Sequence, residues 1–133
     1  MENPGSAQAV ALWAGLHMIL LVVLSVLVVR QRRVNKVAFG DGGSQELAQA
    51  IRAFGNAAEY TPTGLVALAV LAMAGGPPLL LHVIGLALFG GRVAHALGLS
   101  RSSGTSTPRS VGILMTWSAY VAAAAALLFF AIP

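Results

Sequence analysis

Arg52-Ala-Phe-Gly-Asn56-Ala-Ala-Glu59-Tyr60-Thr-Pro62 is the polar stretch of a chain that is otherwise mostly lipid-soluble. Arg52, Asn56 and Glu59 are spaced i, i+4 and i+7. At about 100° per residue the three lie within about 60° of one another on a helix. Exposing such groups to hydrocarbon is costly, so this face is expected to meet protein or a ligand rather than lipid tails. Its expected role is to hold a polar cofactor or substrate at the edge of a membrane.

The rest of the chain supplies that membrane context. Of 133 residues, 57% are hydrophobic and only 9% charged. A soluble domain carries about 25% charged residues, so an ordinary water-soluble globule is excluded. The length allows about four spans of roughly 20 residues with their loops. The expected fold class is therefore all-α, an integral membrane four-helix bundle forming one domain over residues 1–133. The formal net charge is +4, and the basic residues flank or enter apolar segments. That pattern points to membrane orientation and contact with lipids, not to a nucleic-acid partner. With no cysteine, disulfides, thiolate metal sites and a cysteine nucleophile are excluded, and no metal site is read. The first residues carry no basic n-region and Gly does not follow Met1, so neither a cleaved signal nor a lipid anchor is expected.

Helices are expected over about 7–29, 45–74, 78–99 and 109–131. Ser6 is expected to cap the first, with Trp13 toward one interface and His17 bonded to a neighbouring helix. Arg30, Arg32, Arg33 and Lys36 close the first span as a topological anchor. Ser44 is a candidate N-cap for the second helix, which Pro62 is expected to kink. Gly75-Gly76-Pro77-Pro78 is a break from which the third helix starts directly. Ser106 or Thr107 is expected to cap the fourth, with Pro108 at its first position.

All Lys and Arg fall on or toward one side of this arrangement, and the Gly-Gly-Pro-Pro turn carries none. The positive-inside rule then places both basic loops in the cytoplasm and both termini on the opposite face, in what is expected to be a bacterial inner membrane. Arg92 lies fourteen residues beyond Pro78, roughly 21 Å along a helix in a hydrocarbon core about 30 Å thick. Arg52, Asn56, Glu59, Arg92 and His95 thus share one polar layer, with Arg109 at its border. The layer holds more cations than carboxylates. Guanidinium forks match carboxylates, and Glu59 can take an ammonium, so a zwitterionic peptide with two carboxylates fits it.

The same residues carry a family resemblance. Arg52-Ala-x-x-Asn56-x-x-Glu59-Tyr60-x-Pro62 resembles the second-helix signature of the MAPEG family, the membrane-associated proteins in eicosanoid and glutathione metabolism. Its Glu-Tyr-x-Pro form is especially similar to the leukotriene-forming synthase branch. Gly91-Arg92-Val93-Ala94-His95 and Pro108-Arg109-Ser110-Val111 resemble third- and fourth-helix segments of the prostaglandin E synthase branch. Gln31-x-Arg33 followed by Lys36-x-Ala38-Phe39 is similar to the end of its first helix. The resemblance implies a homotrimer with glutathione, as co-substrate, in a cleft between subunits. It implies that Arg33, Arg52, Asn56, Glu59 and His95 contact glutathione and that Tyr60 occupies a contact position of the leukotriene branch. Arg109 matches the arginine that stabilises the glutathione thiolate, and Ser110 a thiol hydrogen-bond donor. Family tyrosines of the late third and early fourth helices correspond here to Leu99 and Ile113.

The function expected from this is a membrane-bound glutathione-dependent transferase or peroxidase acting on a lipophilic small molecule, an electrophile or a lipid hydroperoxide. The competing readings are a non-catalytic lipid-binding or scaffold protein of the same fold, and a small proton-coupled exporter. An exporter needs a membrane carboxyl that holds its proton near neutrality, and arginine-rich surroundings favour the carboxylate instead.

The orientation is directly testable because the chain lacks cysteine. In right-side-out vesicles, Ala74→Cys should react with a membrane-impermeant maleimide and Asp41→Cys should not. The opposite pattern would invert the topology.

Overall fold

A computed structural model of the chain describes residues 4–101, 104 and 106–132. It comprises four helices, α1 (Pro4–Asn35), α2 (Gln45–Met73), α3 (Pro78–Arg101) and α4 (Thr107–Ala131), with no strand among the described residues. α1, α3 and α4 are long and apolar enough to cross a membrane. α2 is the polar member, carrying Glu46, Arg52 and Glu59. The protein is an integral membrane four-helix bundle.

The helix ends follow local chemistry. α1 continues beyond residue 29, because Arg30, Gln31, Arg32 and Arg33 are good helix formers; the charges end the hydrocarbon span but not the helix. It stops at Lys36, whose φ of 55 is left-handed. There the amides of Lys36 and Val37 bond back to the carbonyls of Arg33 and Arg32 at 3.3 and 3.0 Å, a Schellman closure without glycine. Arg32 then donates to the carbonyls of Ala38 and Gly40, both at 3.0 Å, and sets the path of the loop. α2 closes in the same way at Gly75, with φ 90.

Several local expectations are met and others corrected. The Ser44 hydroxyl accepts from the Leu47 amide at 3.2 Å, so it caps α2. α2 runs unbroken through Pro62. Ser6 is no cap: α1 starts at Pro4, and the buried Ser6 hydroxyl donates to the Gly76 carbonyl at 2.8 Å, tying the start of α1 to the α2–α3 turn. Ser106 holds the N-cap position of α4 without a side-chain cap bond. Its hydroxyl donates instead to the Gly98 carbonyl, and Pro108 is the second residue of that helix. Trp13 is buried against α3 at Gly85, His82 and Phe89. His17 bonds its own helix, Nδ1 to the Trp13 carbonyl at 2.7 Å.

α2 and α3 form the inner diagonal of the bundle. Each packs on both α1 and α4, while α1 and α4 do not meet among the described residues. The closest seam is between α3 and α4. A Cβ at Gly112 would fall 2.5 Å from the His95 amide nitrogen and 2.6 Å from the Gly91 carbonyl oxygen, and one at Gly98 would fall 2.5 Å from the Arg109 amide nitrogen. Small residues let helix backbones approach in this way where lipid offers no hydrophobic drive. The apolar core lies in two clusters. One joins Ala9, Trp13, Leu68, Leu71, Leu81, Ile84, Leu88, Ala119 and Ala123. The other joins Leu24, Ala53, Ala57, Ala96 and Leu99.

Gly112→Ala should cost about 1–3 kcal/mol despite the better helix propensity of alanine, because the obstructing atoms are backbone. Gly15→Ala, where nothing lies within 4 Å, should be neutral or slightly stabilising. Denaturant unfolding in detergent would check both, and equal stabilities would refute the close seam.

Candidate functional site

Arg92 stands between the two apolar clusters, one turn beyond Leu88 and one turn before Ala96 on α3. It is 1% exposed and the largest fully buried side chain. Its Nε donates to Thr116 Oγ1 at 2.9 Å, and its Nη1 donates to Asn56 Oδ1 at 2.9 Å. The guanidinium carbon sits 4.7 Å from the centroid of the Tyr60 ring, a cation–π distance. Nη2 is buried and makes no hydrogen bond. Among the described residues no carboxylate pairs with this cation. It is held by a hydroxyl, an amide and an aromatic face, a set that only partly offsets its desolvation.

Those partners are themselves fixed. The Thr116 hydroxyl donates to the Gly112 carbonyl at 2.9 Å. Tyr120 of α4 donates its hydroxyl to the Tyr60 carbonyl, and the two rings meet edge to face at 5.9 Å. α2, α3 and α4 are therefore joined by one polar node inside the bundle.

The residues read from the sequence divide around this node. Asn56 and Tyr60, both half-buried, join it directly. His95 is buried on the α3 face that meets Gly112. Arg109, half-buried, packs its backbone on Gly98 one turn further along the same seam. The seam thus brings His95 and Arg109 onto neighbouring turns. Arg33, Arg52, Glu59 and Ser110 lie on the exterior. The polar layer is thereby split: Arg52 and Glu59 do not turn inward with Asn56 and Arg92. They border an open groove of about 390 Å³ on the outer side of α2, closed at one end by Gly40 and Asp41 of the first loop. That volume falls within the range of small-molecule sites. Among the described residues neither Arg52 nor Glu59 is spent on a hydrogen bond or ion pair.

Thr116 and Tyr120 are the site residues that the sequence reading passed over. Neither is charged and neither lies in a motif. Their one signal is a hydroxyl on each of two successive turns of a mostly apolar helix. Leu99 packs in the second apolar cluster, and Ile113 is half-buried.

The family model for MAPEG matches residues 10–129. The chain belongs to the MAPEG family. It is also 39% identical over 109 residues to the inner membrane protein YecN of Escherichia coli K12, covering 82% of each chain. The same identity and coverage hold for the YecN protein of Escherichia coli O6:H1. The family match takes in all four helices, including the Arg52–Pro62 stretch and the α3–α4 seam.

Thr116→Val would leave Nε of Arg92 buried without an acceptor. It should lower unfolding stability by about 1–3 kcal/mol, and Thr116→Ser should recover most of that loss. Valine as stable as threonine in detergent denaturation would show that the bond does not hold the node.

Proposed function

We propose that this MAPEG protein is a membrane-bound glutathione-dependent transferase or peroxidase. One observation carries the reading: Arg52 and Glu59 line one outer groove of α2 and are unspent among the described residues, with Asn56 in the same roughly 60° helical sector. A guanidinium, a carboxylate and an amide in one sector complement a zwitterionic peptide. Arg52 takes a carboxylate, Glu59 the ammonium and Asn56 a polar group between them. The outward aim of this set supports a cleft completed by a second copy of the chain, as in a homotrimer. In that cleft Arg33, Tyr60 and His95 are further contacts. The basic loops face the cytoplasm in this reading.

The chemistry falls to the start of α4. Arg109 lies in its first turn, at a helix N-terminus with no side-chain cap. The positive helix end and the guanidinium together favour a thiolate over a thiol. Ser110, exposed in the same turn, offers a hydroxyl to the sulfur. With a lipophilic electrophile the thiolate forms a C–S bond as the leaving group departs with its electron pair, and the thiol proton goes to solvent. With a lipid hydroperoxide the thiolate attacks the terminal oxygen and the O–O bond breaks. The alkoxide takes a proton to become the alcohol. The resulting sulfenic acid condenses with a second glutathione to give the disulfide and water.

An apolar groove of about 220 Å³ between α2 and α4, running from Thr63 past Tyr120 to Leu127, favours a second reading, a lipid-binding protein without catalysis. The apolar Leu99 in place of a tyrosine points the same way. Calorimetric titration of the detergent-purified protein with glutathione separates the two, since absence of binding at millimolar ligand leaves only the second. If glutathione binds, Arg109→Ala should lower conjugation of a chlorinated nitrobenzene by about 10²–10³-fold. Unchanged rates would remove Arg109 from the mechanism.

A further inference from the structure

We propose that Arg92 is a positioning residue. It fixes the polarity of the Asn56 carboxamide so that its NH2 group faces the ligand and selects a hydrogen-bond acceptor there. This inference rests on the glutathione reading above.

A guanidinium has five N–H donors and no acceptor. Whatever faces it must therefore accept. Thr116 does so with Oγ1 and sends its own proton to Gly112. Asn56 does so with Oδ1. The flipped amide would set donors against donors at a site where Arg92 is 1% exposed and water cannot mediate. The amide orientation is thus dictated by Arg92, and Nδ2 must point away from it. Nδ2 has no partner among the described residues, and Asn56 is half-buried. It lies in the same roughly 60° sector of α2 as Arg52 and Glu59.

Arg92 cannot easily turn aside to release this arrangement. The Tyr60 ring lies 4.7 Å from its guanidinium carbon, and that ring is braced by Tyr120 at 5.9 Å. The donor that results discriminates. A carboxylate or peptide carbonyl oxygen of glutathione satisfies it, whereas a ligand presenting only N–H at that point leaves it unpaired.

Asn56→Asp separates this role from a simple tie between helices. The aspartate still accepts from Arg92 but offers no donor outward. Helical content and thermal midpoint should be kept or raised, while the Kd for glutathione rises about tenfold or more. A Kd within about twofold of wild type would overturn the proposal, because a mere tie is preserved in this variant. A mutant cycle gives the second readout. Arg92→Met should raise the Kd about fivefold in the wild-type background and less than about twofold in an Asn56→Ala background. Equal effects in both backgrounds would show that Arg92 acts without Asn56 and would sink the idea. If the wild type itself fails to bind glutathione, the functional reading falls and this inference with it. If the wild type binds and Asn56→Asp binds equally, only this inference falls.

Discussion

A full positive charge buried in a bundle of apolar helices, with no carboxylate beside it among the described residues, is the constraint on which the interior depends. Lipid offers Arg92 no solvation, so every contact that makes it tolerable comes from the chain. The cation needs acceptors on two sides and a π face on a third. α4 supplies Thr116, α2 supplies Asn56 and the Tyr60 ring, and Tyr120 steadies that ring. Meeting these demands sets the relative register of three helices more sharply than apolar packing does, because hydrogen bonds are directional and leucine contacts are not. It also divides the core, with one apolar cluster on each side of the polar layer.

The four helices were legible in the sequence because lipid-soluble runs, Gly-Pro punctuation and flanking cations are coarse signals that act over many residues. The polar sector of α2 was legible for the same reason, as helical spacing placed Arg52, Asn56 and Glu59 together. Which edge of that sector turns inward was not. Three residues spread over about 60° can straddle the boundary between a buried and an exposed face. Here Asn56 falls on one side of that boundary and the two charged residues on the other. Short-range satisfaction was equally hidden. His17 bonds a carbonyl one turn back on its own helix, and Ser6 bonds a carbonyl seventy residues away. Hydroxyl and imidazole groups have several acceptors within reach, and only packing decides among them. Thr116 escaped notice because a threonine in an apolar helix carries no charge to announce a partner.

The chain belongs to the MAPEG family, and in it Leu99 is part of the apolar core while Ile113 has no polar tip. The polar groups of the interior come from α2, α3 and α4, and apolar clusters lie on either side of them.

The glycine seam has a mechanical meaning. At Gly98 and Gly112 the nearest atoms across the seam are backbone nitrogens of the facing helix, which cannot rotate aside to let one helix slide on the other. α3 and α4 therefore form one body, keyed at two levels, Gly91 with Gly112 and Gly98 with Arg109. Among the described residues α1 touches that body only along α3 and does not meet α4. The chain thus has three working parts rather than four: the fused pair, α2 seated against both of its helices, and α1 laid along α2 and α3.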